Sequence, residues 1–187
     1  MNKLKDYILV LEDIIPEKLC NDILNEYENS KEWLDTAVGG KGDINKEIRN
    51  CTTIGISLNE VIEKNKNIRK KIDDDVFICA KKAIKKYNKK FNKANISKDT
   101  GYDLLKYEKG GFYIQHVDSF SGRLRTISCS FILNNNFEGG EFSFFNNKII
   151  YSLKKGSAIM FPSNFLYPHS VLPVVDGTRY SIITWFI

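Results

Sequence analysis

Histidine is scarce in this chain, with two among 187 residues. Proline is nearly as rare, with four, so no proline-rich linker or recognition segment can be assembled. No apolar run approaches the roughly 18 residues that a bilayer span requires, and no membrane partner is expected. The opening stretch MNKLKDYILVLEDIIPEK reaches Glu12 and Asp13 after a short apolar segment and offers no small-residue cleavage site. That pattern argues against a secretory signal and leads us to expect a cytoplasmic protein. The four cysteines, Cys20, Cys51, Cys79 and Cys129, never pair as CxxC, which argues against a zinc ribbon or a dithiol redox motif. They fit buried free thiols in a reducing compartment.

What is present is ordinary globular material: 42% hydrophobic residues and 12% aromatics. A chain of this length is most simply one domain, able to bury about two-thirds of the surface its unfolded form would expose. The net charge of +5 comes chiefly from KKAIKKYNKKFNKANISK at 81–98. Lysines at a helix C-terminus complement the macrodipole, and such runs are usually solvated faces, so nucleic acid is disfavoured as a partner.

By pattern the chain divides into a helical first half and a strand-rich second half, with no internal repeat or linker. YILVLEDII (7–15) predicts a strand. Pro16 then suits the first turn of a helix running to about Lys31, with Leu19, Ile23, Leu24 and Tyr27 on one face. TAVGGKGDINKEIRN (36–50) has three glycines and no periodicity and predicts a mobile loop near a site. CTTIGISL (51–58) returns as a strand. From about Asn67 to Asn92 apolar residues recur at three and four, which predicts an amphipathic helix packed on a sheet. After Asp99 come eight β-like runs: YDLLKY, GFYIQHV, RTISCSFIL, GEFSFF, KIIYSL, SAIMF, PHSVLPV and RYSIITWFI. Their number and spacing predict an α+β, mainly β fold, a double-stranded β-helix (jelly roll) with the long helices covering one sheet from outside.

One histidine stands in YIQHVDSF, with an aspartate two places on. Side chains alternate along a strand, so His116 and Asp118 are predicted to share a face. An imidazole and a carboxylate suit a borderline divalent metal, and a second imidazole would complete the facial arrangement found in non-haem Fe(II) oxygenases. His169, in LYPHSVLPV, is the only other histidine. On these residues alone a surface His–Asp pair and an ordinary core histidine remain open. GTRYSIITWF shifts the balance: Arg179 offers a planar fork for a carboxylate such as the distal one of 2-oxoglutarate. Ser181, Ile183 and Trp185 share its face and would wall the pocket, while Tyr180 and Ile182 point away.

YDLLKYEKGGFYIQHVD, RLRTISCSFILNNNFEGGEFSFF, KKGSAIMFPSNFLYPHSV and GTRYSIITWF, from about Tyr102 to Phe186, resemble in order the blocks of the 2-oxoglutarate- and Fe(II)-dependent dioxygenases of the prolyl 4-hydroxylase type. The resemblance implies a single oxygenase domain over 1–187: helical support, flanking strands and a lid loop over 1–98, and a jelly-roll catalytic core over 99–187. It implies His116, Asp118 and His169 as iron ligands and Arg179 as the cosubstrate anchor, with Tyr107 and Trp185 beside it. A tyrosine that similar enzymes supply from the strand after HxD is here Ile132, and Ser128 on the same face is the candidate substitute hydroxyl. The implied cofactors are Fe(II), 2-oxoglutarate and O2, with ascorbate as an accessory.

The expected reaction is hydroxylation of a peptidyl proline with release of succinate and CO2. A carboxylate at Asp118, where halogenating relatives keep a small residue, argues against chlorination. The expected partner is a peptide or protein under a lid formed by 36–50, with Arg49 at its end. A free amino acid or another small molecule is the alternative, and a non-catalytic metal-binding jelly roll is a more remote one. Relatives that demethylate nucleic acid carry a second arginine six residues after the first, where this chain has Trp185.

Overall fold

A computed structural model of the chain describes residues 3–39, 42–57, 66–92, 94–122 and 124–187. Predicted features at Gly40, Lys41 and Leu58 lie outside the described residues. The first half holds β1 (Leu9–Leu11), α1 (Glu17–Tyr27), β2 (Leu34–Asp35), β3 (Arg49–Asn50), β4 (Thr52–Gly55) and α2 (Lys66–Lys90). α1 stops a turn earlier than predicted, and the indole of Trp33 donates to the Tyr27 carbonyl at that end, 2.9 Å away.

The second half is nearly all strand. β5 (Asp103–Tyr107), β6 (Phe112–His116), β7 (Ile127–Ile132), β8 (Phe137–Gly139) and β9 (Phe142–Phe144) are followed by β10 (Ile149–Tyr151) and β11 (Ala158–Pro162). β12 (His169–Val171), β13 (Val174–Gly177) and β14 (Arg179–Phe186) complete it. The run PHSVLPV divides between β12 and β13, and β8 was not predicted. Its partner β13 supplies the pairing that makes so short a segment a strand.

A seven-stranded sheet runs β1-β11-β7-β14-β5-β4-β2, a five-stranded sheet runs β10-β9-β12-β6-β3, and β13-β8 form a ribbon. All pairings are antiparallel. This is the jelly-roll architecture expected, with one refinement. The strands of the first half finish the sheets: β1 covers one edge of the larger sheet, β4 and β2 the other, and β3 an edge of the smaller, which protects edges that would otherwise invite pairing.

Alternation along the larger sheet divides its side chains between two cores. Tyr180 and Ile182 of β14, Cys129 and Phe131 of β7 and Met160 of β11 face α1 and α2, where Ile23, Val76, Ala80 and Ala83 close over them. Their neighbours Ile183, Ile132, Ile159 and Phe161 turn to the space between the sheets and meet Phe142, Phe144 and Val171. The two helices are also joined through Arg69, whose guanidinium donates to Glu26 and Glu32.

Candidate active site

Between the sheets lies a cavity of about 490 Å³. His116, Asp118 and His169 line it, with ligand atoms all within 4.8 Å of one another, the one such group among the described residues. His116 ends β6 and His169 begins β12, and the two are register partners. Asp118 is not on the strand, contrary to the alternation argument. It lies two residues past the end of β6, held by its backbone N–H donating to the Ser163 carbonyl at 3.2 Å. The register with β12 also slips between His116 and Tyr113, where Ile114 and Gln115 of β6 oppose the single Ser170 of β12. This bulge turns both rings the same way, so that Tyr113 stacks on His116 at 3.5 Å between centroids.

Backbone carbonyls fix both imidazoles. His116 Nδ1 lies 2.9 Å from the Ile114 oxygen and His169 Nδ1 3.1 Å from the Tyr167 oxygen, contacts in which Nδ1–H donates. That tautomer leaves each Nε2 as a bare lone pair. Both aim at one carboxylate: His116 Nε2 is 3.5 Å from Asp118 Oδ1, and His169 Nε2 is 3.5 Å from Asp118 Oδ2. Three acceptors converging in a buried space repel one another unless a cation lies among them, and this nitrogen and oxygen set suits Fe(II).

The site's electrostatics agree. Burial lowers the His169 pKa to about 4, so its imidazole is neutral and able to ligate at neutral pH. Burial works against charge on Asp118, but His169, His116 and the Ser128 hydroxyl outweigh it and hold the carboxyl well below the usual range.

Arg179 opens β14 opposite Tyr107 of β5 and is 1% exposed. Its Nη1 donates to Ser181 Oγ at 2.8 Å, and Nη2 is buried with no hydrogen-bond partner among the described residues. Gly140, at φ +68°, passes so close that a Cβ there would stand 2.8 Å from Arg179 Cδ, so that turn is open only to glycine. Burial pushes the guanidinium pKa down, opposed by Tyr107. A buried cationic fork with a spare N–H at a cavity wall fits a carboxylate such as the distal group of 2-oxoglutarate.

Tyr107, Ser181, Ile183 and Trp185 line the cavity as predicted. Ser128 does not take the predicted place. Its hydroxyl donates to Asp118 Oδ2 at 2.6 Å and meets Ser163 Oγ at 2.8 Å, so it supports the carboxylate, and Ser130 is the β7 serine that faces the cavity. Ile132 packs in the inter-sheet core and offers the cavity no hydroxyl.

Sequence reasoning missed Thr36, Tyr113 and Arg125. Arg125 lies with its Cζ 3.2 Å from the Trp185 ring centroid and donates from Nη1 to the Asp118 carbonyl at 3.3 Å. Its place just before β7 was visible, but the stacking needs the β7–β14 register.

The comparisons with known proteins point the same way. Residues 102–187 match the 2OG-Fe(II) oxygenase superfamily. A PKHD-type hydroxylase of Idiomarina loihiensis is 34% identical over 89 residues, 44% of this chain and 39% of that protein, so the chain spans about two-fifths of the relative's length. Among solved structures, a Trichoplax adhaerens prolyl hydroxylase in complex with a hypoxia inducible factor peptide superposes with a TM-score of 0.79 at 19% identity, over 97% of this chain and 83% of that one. The viral collagen prolyl hydroxylase of Paramecium Bursaria Chlorella virus-1, in a 2OG complex, gives 0.69 at 18% identity over 96% and 94%. At such identities these two likenesses establish the fold, and the superfamily match covers residues 102–187, just under half of the chain.

Proposed function

We propose that this chain is an Fe(II)- and 2-oxoglutarate-dependent hydroxylase whose iron ligands are His116, Asp118 and His169. The observation that carries the reading is the convergence of two carbonyl-fixed imidazole Nε2 atoms on the Asp118 carboxylate, each 3.5 Å away. Bound there, Fe(II) supplies activation of O2 coupled to decarboxylation of 2-oxoglutarate to succinate and CO2, with oxygen inserted into a substrate C–H bond.

The chain's own residues supply the rest. The Ile114 and Tyr167 carbonyls hold Nδ1–H of each histidine and so aim each Nε2 inward. Ser128, by donating to Oδ2, leaves Oδ1 the freer oxygen for the metal. Arg179, backed by Ser181 and flanked by Tyr107, takes the distal carboxylate and fixes which end of the cosubstrate faces the metal. The apolar wall of Phe142 and Ile183 keeps water from the reacting centre.

We take a proline-containing peptide as substrate, an assignment supported by the peptide held in the Trichoplax relative. Residues 36–39, which line the cavity beside the site, are the stretch available to close on it. A cytoplasmic location is supported by four buried free cysteines.

The test is an anaerobic titration of the metal-free protein with Fe(II) and 2-oxoglutarate, following the weak visible charge-transfer band of a metal-chelated 2-oxo acid. The expected result is a band that bleaches as succinate forms on admitting O2. Iron binding with no band would overturn the assignment of Arg179 and the cosubstrate.

A further inference from the structure

The cavity holds a second arginine that the hydroxylase reading leaves unassigned. Arg49 lies on β3 opposite Tyr113 of β6. Its Cζ stands 4.6 Å from the Tyr113 ring centroid, and that ring stacks on His116 at 3.5 Å. The Arg49 charge is therefore no further from the His116 ring than those two steps laid end to end. This is within the span of a small organic molecule.

Arg49 lines the cavity, and its Nε is enclosed without a hydrogen-bond partner among the described residues. The contrast with Arg69 is informative. Where the fold buries a guanidinium to join its helices it supplies Glu26 and Glu32, at 2.8 and 2.7 Å. To Arg49 and Arg179 it supplies no ion-pair partner among the described residues. An unmatched enclosed donor costs about 1–3 kcal/mol, and more when charged, so Nη2 of buried Arg179 and Nε of half-buried Arg49 are each a demand for an anionic group in this cavity. The distal carboxylate of 2-oxoglutarate answers Arg179, and one demand remains.

We propose that Arg49 binds a carboxylate of the primary substrate, so that the molecule hydroxylated here is acidic on the side of the metal where Tyr113 stands. The inference rests on the hydroxylase reading and narrows its substrate class. The carboxylate could come from a free amino acid or from an acidic residue of a peptide, and both present the same planar anion to the same fork.

The experiment uses the full chain loaded with Zn(II) in place of Fe(II) and saturated with 2-oxoglutarate, so that binding is read without turnover. Two matched probe pairs are titrated calorimetrically: L-proline against L-prolinamide, and acetyl-Gly-Pro-Glu-amide against acetyl-Gly-Pro-Gln-amide. In at least one pair the acid binds at least about tenfold tighter than its neutral partner. The proline pair responding identifies a free amino acid, and the tripeptide pair identifies an acidic peptide. Arg49→Gln reduces the preference to within about threefold, while 2-oxoglutarate affinity stays within about twofold of wild type. Arg49→Lys, which keeps the charge and loses the fork, is a second variant in case the first does not fold, and it loses most of the preference.

Equal binding of acid and amide in both pairs overturns the proposal, as does a preference that survives Arg49→Gln. A loss of 2-oxoglutarate binding in that variant also overturns it, because Arg49 would then serve the cosubstrate. The anaerobic Fe(II) band separates the two levels. Its absence sinks the hydroxylase reading, whereas a normal band with no acid preference sinks this inference alone.

Discussion

The two faces of the seven-stranded sheet obey opposite rules, although the same strands make both. On β14, Tyr180 and Ile182 pack into a closed apolar cluster beneath α1 and α2. One residue out of phase, Arg179 and Ser181 are just as buried but polar, and Arg179 keeps an N–H with no partner among the described residues. β7 repeats the arrangement, with Cys129 and Phe131 toward the helices, Ser128 turned the other way onto Asp118 and Ser130 onto the cavity. The helix face lowers the energy of the chain alone. The inner face gives up stability to hold polar groups that only a metal and a carboxylate satisfy, the local conflict expected of a working site.

Substitutions on either side should then fail in different ways. Arg179→Ala removes the anchor from a buried carboxylate, at a cost of roughly 2–5 kcal/mol by analogy with other truncated charge pairs. That corresponds to about a 30- to several-thousand-fold loss of 2-oxoglutarate affinity in an anaerobic band titration. A loss under threefold would show that the anchor is elsewhere. On the opposite face, Ile182→Ala opens a cavity in a fully buried cluster. It should lower unfolding free energy by roughly 2–5 kcal/mol in urea while leaving 2-oxoglutarate affinity within about twofold. If Ile182→Ala moved affinity as much as stability, the two faces would not be separable.

The inner face alone should make stability depend on mild acid. Burial lowers the His169 pKa to about 4, below the ordinary 6.5. As pH falls through that window the unfolded chain takes up a proton that the native state refuses, so stability drops toward acid, by on the order of 3 kcal/mol at pH 4. Asp118, held below the usual carboxylate range, adds a loss of the same sign at still lower pH. Urea midpoints of the metal-free protein between pH 7 and 4.5 read this directly. A His169→Gln variant should flatten the upper part of the slope. The smallest effect is expected at Ser128→Ala, where losing the hydrogen bond to Asp118 should weaken iron binding about 10- to 100-fold without changing cosubstrate affinity. A change in 2-oxoglutarate affinity instead would return Ser128 to the role that the sequence suggested for it.

Alternation and composition carried a large part of this protein into plain view. Two histidines, one HxD and one arginine opening a strand left few ways to build a metal and carboxylate site. Period-2 runs after Asp99 and a period-3.6 run before Asn92 were enough for a helix-backed jelly roll. Those signals are local, because strand and helix periodicity are properties of adjacent residues. Only the tertiary structure decided the long-range contacts. The bulge that turns Tyr113 onto His116 arises from the register between β6 and β12, and Asp118 reaches the site from beyond its strand through a backbone bond to Ser163. Ser128 turned out to support a ligand, and Arg49 came to face the cavity through the pairing of β3 with β6. Each depends on which strand lies beside which, information that no single strand carries in its own sequence.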